Sequence, residues 1–468
     1  METLQRTANR GSVSTGYDVA NSLKFEDDND ERMNKAISST NQRTFTISFW
    51  LKRTELGYRR TWGAGASGND EFFFYFDAND YLNIYSYTSS AYQLRFISNR
   101  RFQDTAAWYH LVFQVDTTQS TEANRFKIYV NGVQETSFST ATYPSQNADL
   151  QITNNFYVGT QRNESPDFSG YICEFVYLDG TSAAQTDFGE FDDDTGIWIP
   201  KDPSGLTFGT NGFYLDFEDS SNLGNDANGG TDFTLNNITA ADQSTDTCTN
   251  NFATWLCDGT QFNVSTDNET FKEGGTQFNN RAGTGWTAVY PTQSFAGGKW
   301  YMEVKVHTNA ELAMYGAMPV ARINSLENQN QYHGQDTDGS IGLYGDGGQI
   351  YYGTAGSGGL GSSVSAGDII GLAIDMENYK MYFAVNNTYV ESGNPAGNSN
   401  GRDIEQEPYV FSIAKYSPNE DTETNFGGYT VFSNTHTNTD DNGFGNFVYA
   451  PPSGFLALCT KNLAETGG

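Results

Sequence analysis

Basic residues, cysteine, histidine and long apolar runs are all scarce in this chain. Of 468 residues, 26 are Lys or Arg against 57 Asp or Glu, a formal net charge of −31 at pH 7. A nucleic-acid binder gains affinity by neutralising phosphates. This surface would repel them, and its longest basic clusters are Arg59-Arg60 and Arg100-Arg101. Nucleic acid is thus excluded as a partner, and anionic membrane surfaces are disfavoured for the same reason. No apolar run approaches the ~18 residues of a spanning helix, so no membrane insertion is expected. The N-terminal METLQRTANRGSVSTGYDV lacks the apolar stretch of a secretory signal. The four cysteines, Cys173, Cys248, Cys257 and Cys459, show no CxxC spacing, which argues against a zinc ribbon or dithiol motif. Cys173 and Cys459 lie in apolar strand patterns and are expected as buried thiols. A Cys248–Cys257 bridge is open but not favoured.

Aromatic residues, in contrast, make up 15% of the chain. That is too much apolar surface for a disordered acidic polymer. The polar remainder is rich in Gly, Asn, Thr, Ser and Asp, which form turns, and the aromatic content favours strands over helices. Period-2 alternation dominates. Phe45, Ile47, Phe49 and Leu51 share one face of FTISFWLKR, and Tyr109, Leu111, Phe113 and Val115 share one face of WYHLVFQVD. FKIYVNGVQ runs into an Asn131-Gly132 hairpin turn. Further strands are read at 156–160, 168–180, 213–217, 298–306, 340–353, 367–387, 408–414 and 454–460, with no helix beyond a turn or two. Residues 202–271 hold no Lys or Arg, and 219–251 are almost all turn formers. The expected architecture is all-β: two antiparallel jelly-roll β-sandwiches in tandem. The expected divisions are an N-terminal arm (1–20), a first sandwich (21–218), a linker (219–251) and a second sandwich (252–468). Phe233, Leu235 and Ile238 suggest that the linker packs against something.

These segments carry a resemblance. FTISFWLKR, WYHLVFQVD, FKIYVNGVQ, YVGT and FSGYICEFVYLDG, in this order within residues 22–217, resemble the laminin-G-like, concanavalin A-like jelly-roll family. GKWYMEVKV, GDIIGLAIDMENYKMYFAVNN and SGFLALCTKNL resemble the SPRY-type sandwich, another concanavalin A-like fold. TGIWIPK, GTNGFYLDFED and TNNFATW between them resemble a tandem arrangement of tail-fibre and virion-surface proteins of tailed bacteriophages, especially marine ones. The resemblance implies a virion protein that leaves its host by lysis and acts at the virion surface. Its implied partners are other virion proteins and a host-surface glycan or protein, with homo-oligomerisation, a trimer favoured.

The concanavalin A-like fold also hosts glycoside hydrolases, which need paired carboxylates. On one strand the pair is spaced E-x-D-x-x-E, since alternate residues share a face. The nearest approach is Glu190-Phe191-Asp192-Asp193-Asp194-Thr195, where Thr195 replaces the second acid. Asp375 and Glu377 fall at a turn. His110, His307, His333 and His436 are scattered and HExxH does not occur; no strand-to-helix nucleophile elbow is read. No enzymatic activity is expected. Calcium is the one cofactor considered, with Asp336 and Asp338 of DTDG as weak candidate ligands and Asp192–Asp194 as another acidic loop; a solvated acidic loop is the simpler reading. Sugar sites pair an exposed aromatic ring with polar side chains. On that criterion the candidate contacts are Tyr58 and Trp62, in the Gly-rich stretch between two strands, with Trp286, Tyr332 and Tyr344. The function expected is non-enzymatic attachment to a host surface, with a purely structural virion role and a glycosidase as alternatives.

Overall fold

Apolar side chains two residues apart require a sheet with one face turned inward, and strands form where that alternation is strongest. The computed structural model describes residues 16–38, 40–162, 167–257, 270–279, 285–307, 312–323, 332–335, 339–353, 355–416, 422–429, 432 and 436–466. They fall into two units that divide between Thr249 and Asn250. Each is an antiparallel sandwich, as the alternation predicts.

In the first unit, Thr44–Arg53 pairs with Trp108–Asp116 on one side and Gly170–Asp179 on the other, within an eight-stranded sheet. Phe45, Ile47, Phe49 and Leu51 are buried together with Leu111, Phe113 and Val115. A second eight-stranded sheet, centred on Arg59–Ser67, Asp70–Phe76, Tyr81–Thr88 and Ala91–Arg101, supplies Trp62, Phe72, Phe74, Ile84 and Phe96 to the same core. The layers interlock through rings that meet edge to face: Phe45 with Phe72 at 5.6 Å and Phe113 with Trp62 at 5.8 Å. Each buried ring contributes about 1.5–3 kcal/mol. Asn131 and Gly132 both take positive φ, 47° and 77°, the left-handed pair that a tight hairpin demands.

Tyr58 and Trp62 were expected together in a glycine-rich loop. Residues Arg59–Ser67 instead form a strand. Its glycines provide room rather than flexibility. A Cβ at Gly63 would lie 3.0 Å from the Gln161 carbonyl, and one at Gly65 would collide with the Asp70 carbonyl, where pairing with the next strand slips in register. Trp62 is therefore a fully buried core residue and cannot contact a ligand in this fold.

The expected linker also differs. Residues 219–249 belong to the first unit. Within them Thr234–Asn236 pairs with Arg32–Ile37 at the edge of one sheet, and Gln243–Ser244 pairs with Ser22–Phe25 at the edge of the other. Phe233 and Ile238 join the core. The segment also brings three buried carboxylates to three buried lysines. Asp226 meets Lys35 at 2.8 Å, Asp242 meets Lys24 at 2.9 Å, and Asp246 meets Lys52 at 2.8 Å. From the expected arm, Tyr17 bonds Tyr214 and Glu174, and the Val19 N–H donates to Thr249 Oγ1. Cys248 lies beside Cys173 with the sulfurs 3.8 Å apart, both as free thiols. Cys257 belongs to the second unit and donates to the Trp255 carbonyl.

The second unit packs a nine-stranded sheet, centred on Lys299–Val306 and Ile369–Asp375, against a six-stranded one. The latter runs Thr287–Val289, Tyr409–Lys415, Ala313–Pro319, Ile341–Tyr344, Ile350–Tyr352, Ala355–Ser357. Trp300, Met302, Val304, Ile370, Leu372, Ile374, Tyr315, Phe411 and Ile413 fill its core. A seven-residue helix, Thr460–Thr466, follows the last strand.

The lysine–carboxylate clamp has a measurable consequence. Removing one partner strands a buried charge, which costs about 3–5 kcal/mol. Asp246→Ala is therefore expected to lower the urea-unfolding free energy of the first unit by that amount, while Asp193→Ala, on an exposed turn, leaves it within about 0.5 kcal/mol.

Candidate functional site

Two surfaces concentrate aromatic rings, most of them half-exposed and one, Phe73, buried. The first is the outward face of the second sheet of the first unit. Asp70–Phe76, with sequence DEFFFYF, is aromatic on both faces. Phe72, Phe74 and Phe76 point to the core, so Phe73 and Tyr75 point away. An antiparallel sheet with one face toward water normally places polar residues there. Here the rings run on continuously. Tyr58 packs on Tyr75 at 5.1 Å, Tyr75 on Phe73 at 5.0 Å, and Phe73 on Tyr85 at 5.5 Å. Tyr85 then meets Tyr92 at 5.5 Å, and Tyr92 meets Tyr87 at 4.9 Å. Tyr92 is 45% exposed. Register explains the row: Gly63, Phe73, Tyr85 and Arg95 are direct cross-strand partners.

Polar groups border these rings. The Tyr85 hydroxyl donates to Glu71 at 2.7 Å, and Gln161 Nε2 donates to the same carboxylate at 2.6 Å. The Arg60 guanidinium lies 5.1 Å from the Tyr58 ring and that of Arg95 lies 4.6 Å from Tyr92. Of the residues nominated from sequence, only Tyr58 belongs here. The others were legible as period-2 aromatics; that both faces of one strand are aromatic is the signal.

The second surface brings three nominated residues together. Trp286, Tyr332 and Tyr344, with Tyr351 and Met314, line a pocket of about 130 Å³ on the outward face of the six-stranded sheet. Met314 and Tyr344 are cross-strand partners, as are Gly342 and Tyr351. Gly334, at φ 68°, lets the turn carrying Tyr332 lie against the Tyr351 backbone; a Cβ there would come within 2.5 Å of it. Tyr351 was not singled out from sequence, because only the pairing in register puts it beside Tyr344. Asp336 and Asp338 lie outside the described residues.

The first unit also carries a sequence match. Residues 25–186 match the model of the concanavalin A-like lectin/glucanases superfamily, a laminin G type domain. The match covers less than half of the chain. No curated protein matches it. Among solved structures, the human HERC1 SPRY domain is 15% identical over 33% of this chain and 91% of its own, with a TM-score of 0.27. A SAP-like pentraxin from Limulus polyphemus is 12% identical over 36% of this chain and 80% of its own, with a TM-score of 0.26. A Bacteroides ovatus protein described as carbohydrate binding is 16% identical over 47% of this chain and 59% of its own, with a TM-score of 0.32. Likenesses this distant assign neither residues nor ligand.

In the first unit, several side chains of reactive type are tied up in local hydrogen bonds and ion pairs. Ser48 and His110 stand 2.9 Å apart, the spacing of a nucleophile and its base. The wiring is opposite. The Trp198 indole N–H donates to His110 Nδ1 at 2.9 Å, so the ring proton sits on Nε2 and faces Ser48. Burial holds this imidazole neutral, with its pKa lowered to about 3, and Nε2 cannot take the serine proton. Glu190 lies on an exposed two-stranded hairpin, 3.6 Å from Lys201. Asp192 caps its own turn by accepting from Thr195 N–H and Oγ1 at 2.7 Å. In the second unit, Asp375 caps its turn through Glu377 and Asn378.

Glu174 is the unusual acid. It occupies a bulge in Gly170–Asp179 at φ 52°. Its carboxylate accepts from Tyr214 at 2.8 Å and Tyr17 at 3.2 Å, yet desolvation by burial pushes it up to about 8. The unfolded chain loses this proton near the ordinary 4.5. The folded state thus holds the extra proton between these values, and stability falls as pH rises across that window. Denaturation midpoints are expected to drop between pH 5 and pH 8, and Glu174→Gln should reduce the drop. Glu31, pushed up to about 8 by burial, and Asp167 and Glu303, pushed up to about 7 by burial, keep part of it.

Proposed function

We propose that this protein is a non-enzymatic glycan-binding protein displayed on the surface of a phage particle. The aromatic outer face of the first unit serves as the sugar platform. The observation that carries this reading is the group of solvent-facing tyrosines Tyr58, Tyr75, Tyr85, Tyr87 and Tyr92, set around the buried Phe73, on a sheet face that would ordinarily be polar. Sugar rings present C–H faces that lie on aromatic rings, while their hydroxyls need directional partners. Arg60 and Arg95, half-exposed at the border of the row, are such partners, while buried Glu71 and Gln161 hold the Tyr85 hydroxyl in place. The lectin-type match over residues 25–186 supports the ligand class. The tandem arrangement at the junction of the two units supports the phage particle as its setting.

A single sugar contact on an open sheet face is weak. Several copies on one particle, most simply a trimer, convert weak contacts into firm attachment through effective concentration. The excess of acid keeps such copies from associating nonspecifically. Calcium has no role in this reading.

A glycan array probed with the full chain should give hits that fall at least about tenfold for Tyr85→Ala, the loss of one well-placed ring. Tyr85→Phe should retain the stacking and lose part of the affinity. No hits on the array, in a form that decorates virions with this face against a neighbouring subunit, would overturn attachment in favour of a purely structural role.

A further inference from the structure

The pocket of the second unit calls for a different ligand from the open row of the first. Its four rings close a circuit. Trp286 to Tyr332 is 5.1 Å between centroids, Tyr332 to Tyr351 is 5.7 Å, Tyr351 to Tyr344 is 5.6 Å, and Tyr344 back to Trp286 is 6.5 Å. The successive planes meet at 53°, 89°, 84° and 57°, so the rings stand as walls around a space rather than lie flat as a platform. Buried Met314 belongs to the same lining. A group at the centre of such a quadrilateral would sit roughly 4 Å from each centroid, inside the ~6 Å reach of a cation–π interaction.

We propose that the cage of Trp286, Tyr332, Tyr351 and Tyr344 binds a quaternary or highly methylated ammonium group. Three features select this chemistry over a sugar. The described lining is Trp, Met and three Tyr, with no charged or amide side chain. A sugar held there would lose hydration from hydroxyls with few directional partners in return. A trimethylammonium group has no hydrogen-bond donors to satisfy, and it presents a diffuse positive charge on every side, which matches ring faces on several sides. The size is also suitable, since about 130 Å³ admits such a head group. Finally, the net charge of −31 raises the local concentration of cations around the molecule. The neighbouring His333 adds no opposing charge: it is fully buried, and burial lowers its pKa to about 3.

The inference rests on the second unit alone and does not depend on the sugar platform of the first. Its test is calorimetric titration of the full chain, at low ionic strength, with choline, tetramethylammonium and 3,3-dimethylbutan-1-ol, the neutral carbon isostere of choline. Both cations are expected to bind, and the isostere to bind at least about tenfold more weakly. Trp286→Ala should abolish the choline signal and Trp286→Phe should leave an intermediate one, with the fold of each variant checked by circular dichroism. Equal binding of choline and its isostere would show a merely apolar pocket and overturn the proposal. So would an absence of binding by either cation to the unmodified chain, which decides the matter even if a variant fails to fold.

Discussion

A sheet has two faces, and a sandwich buries only one of each. What covers the remaining faces is the constraint on which the rest of this protein turns. In the first unit, part of the answer is electrostatic. Residues 219–249 close an edge of both sheets, and Asp226, Asp242 and Asp246 neutralise Lys35, Lys24 and Lys52. Lysine so deeply buried is tolerable only when paired, because an isolated ammonium loses its hydration for nothing. The absence of Lys and Arg from this segment then has a physical reading: it supplies the anions to cations that the strands already hold.

Where no segment covers an outer face, rings occupy it. The sequence DEFFFYF places Phe72, Phe74 and Phe76 inside and Phe73 and Tyr75 outside. The outer rings stabilise one another edge to face, so the surface stays ordered without a cover. The six-stranded sheet of the second unit reaches a related result differently. Gly316 and Gly342 sit opposite each other across paired strands, and the open backbone at Gly342 admits the His333 side chain. The turn that carries His333 also carries Tyr332 into the pocket. An open row and a ring of walls therefore share an origin in outward-facing aromatic strand positions, and differ in whether a turn folds over the sheet.

The inner architecture was legible in residue order. Phe45 to Leu51, Trp300 to Val306 and Ile370 to Ile374 alternate, and each buries the face that alternation names. The turn at Asn131-Gly132 is equally local, since two positive φ angles are required there. The glycine-rich Arg59–Ser67 was misread for a physical reason. Glycine marks a turn when it is needed for its φ and marks a strand when it is needed for its missing Cβ, and the second cause lies in backbone outside the strand itself: the Asp70 carbonyl of the next strand and the Gln161 carbonyl about a hundred positions away. Trp62 was misplaced with it. Residues 219–251 were misread similarly: turn formers describe the local backbone, and the lysines awaiting their carboxylates are up to about two hundred positions away.

By itself, the sequence determined the all-β class, the two sandwiches, the core faces and the acidic excess. Each of these follows from period-2 patterning or from composition, which need no knowledge of contacts. Tertiary structure alone decided the wiring of Ser48 and His110 against catalysis, the elevated acid at Glu174, and the assembly of Trp286, Tyr332, Tyr344 and Tyr351 around one pocket. Those depend on register and on which turn lies over which strand. Pairing distant strands sets such relations through hydrogen bonds and packing between residues that are not neighbours in the chain, and no local pattern encodes them.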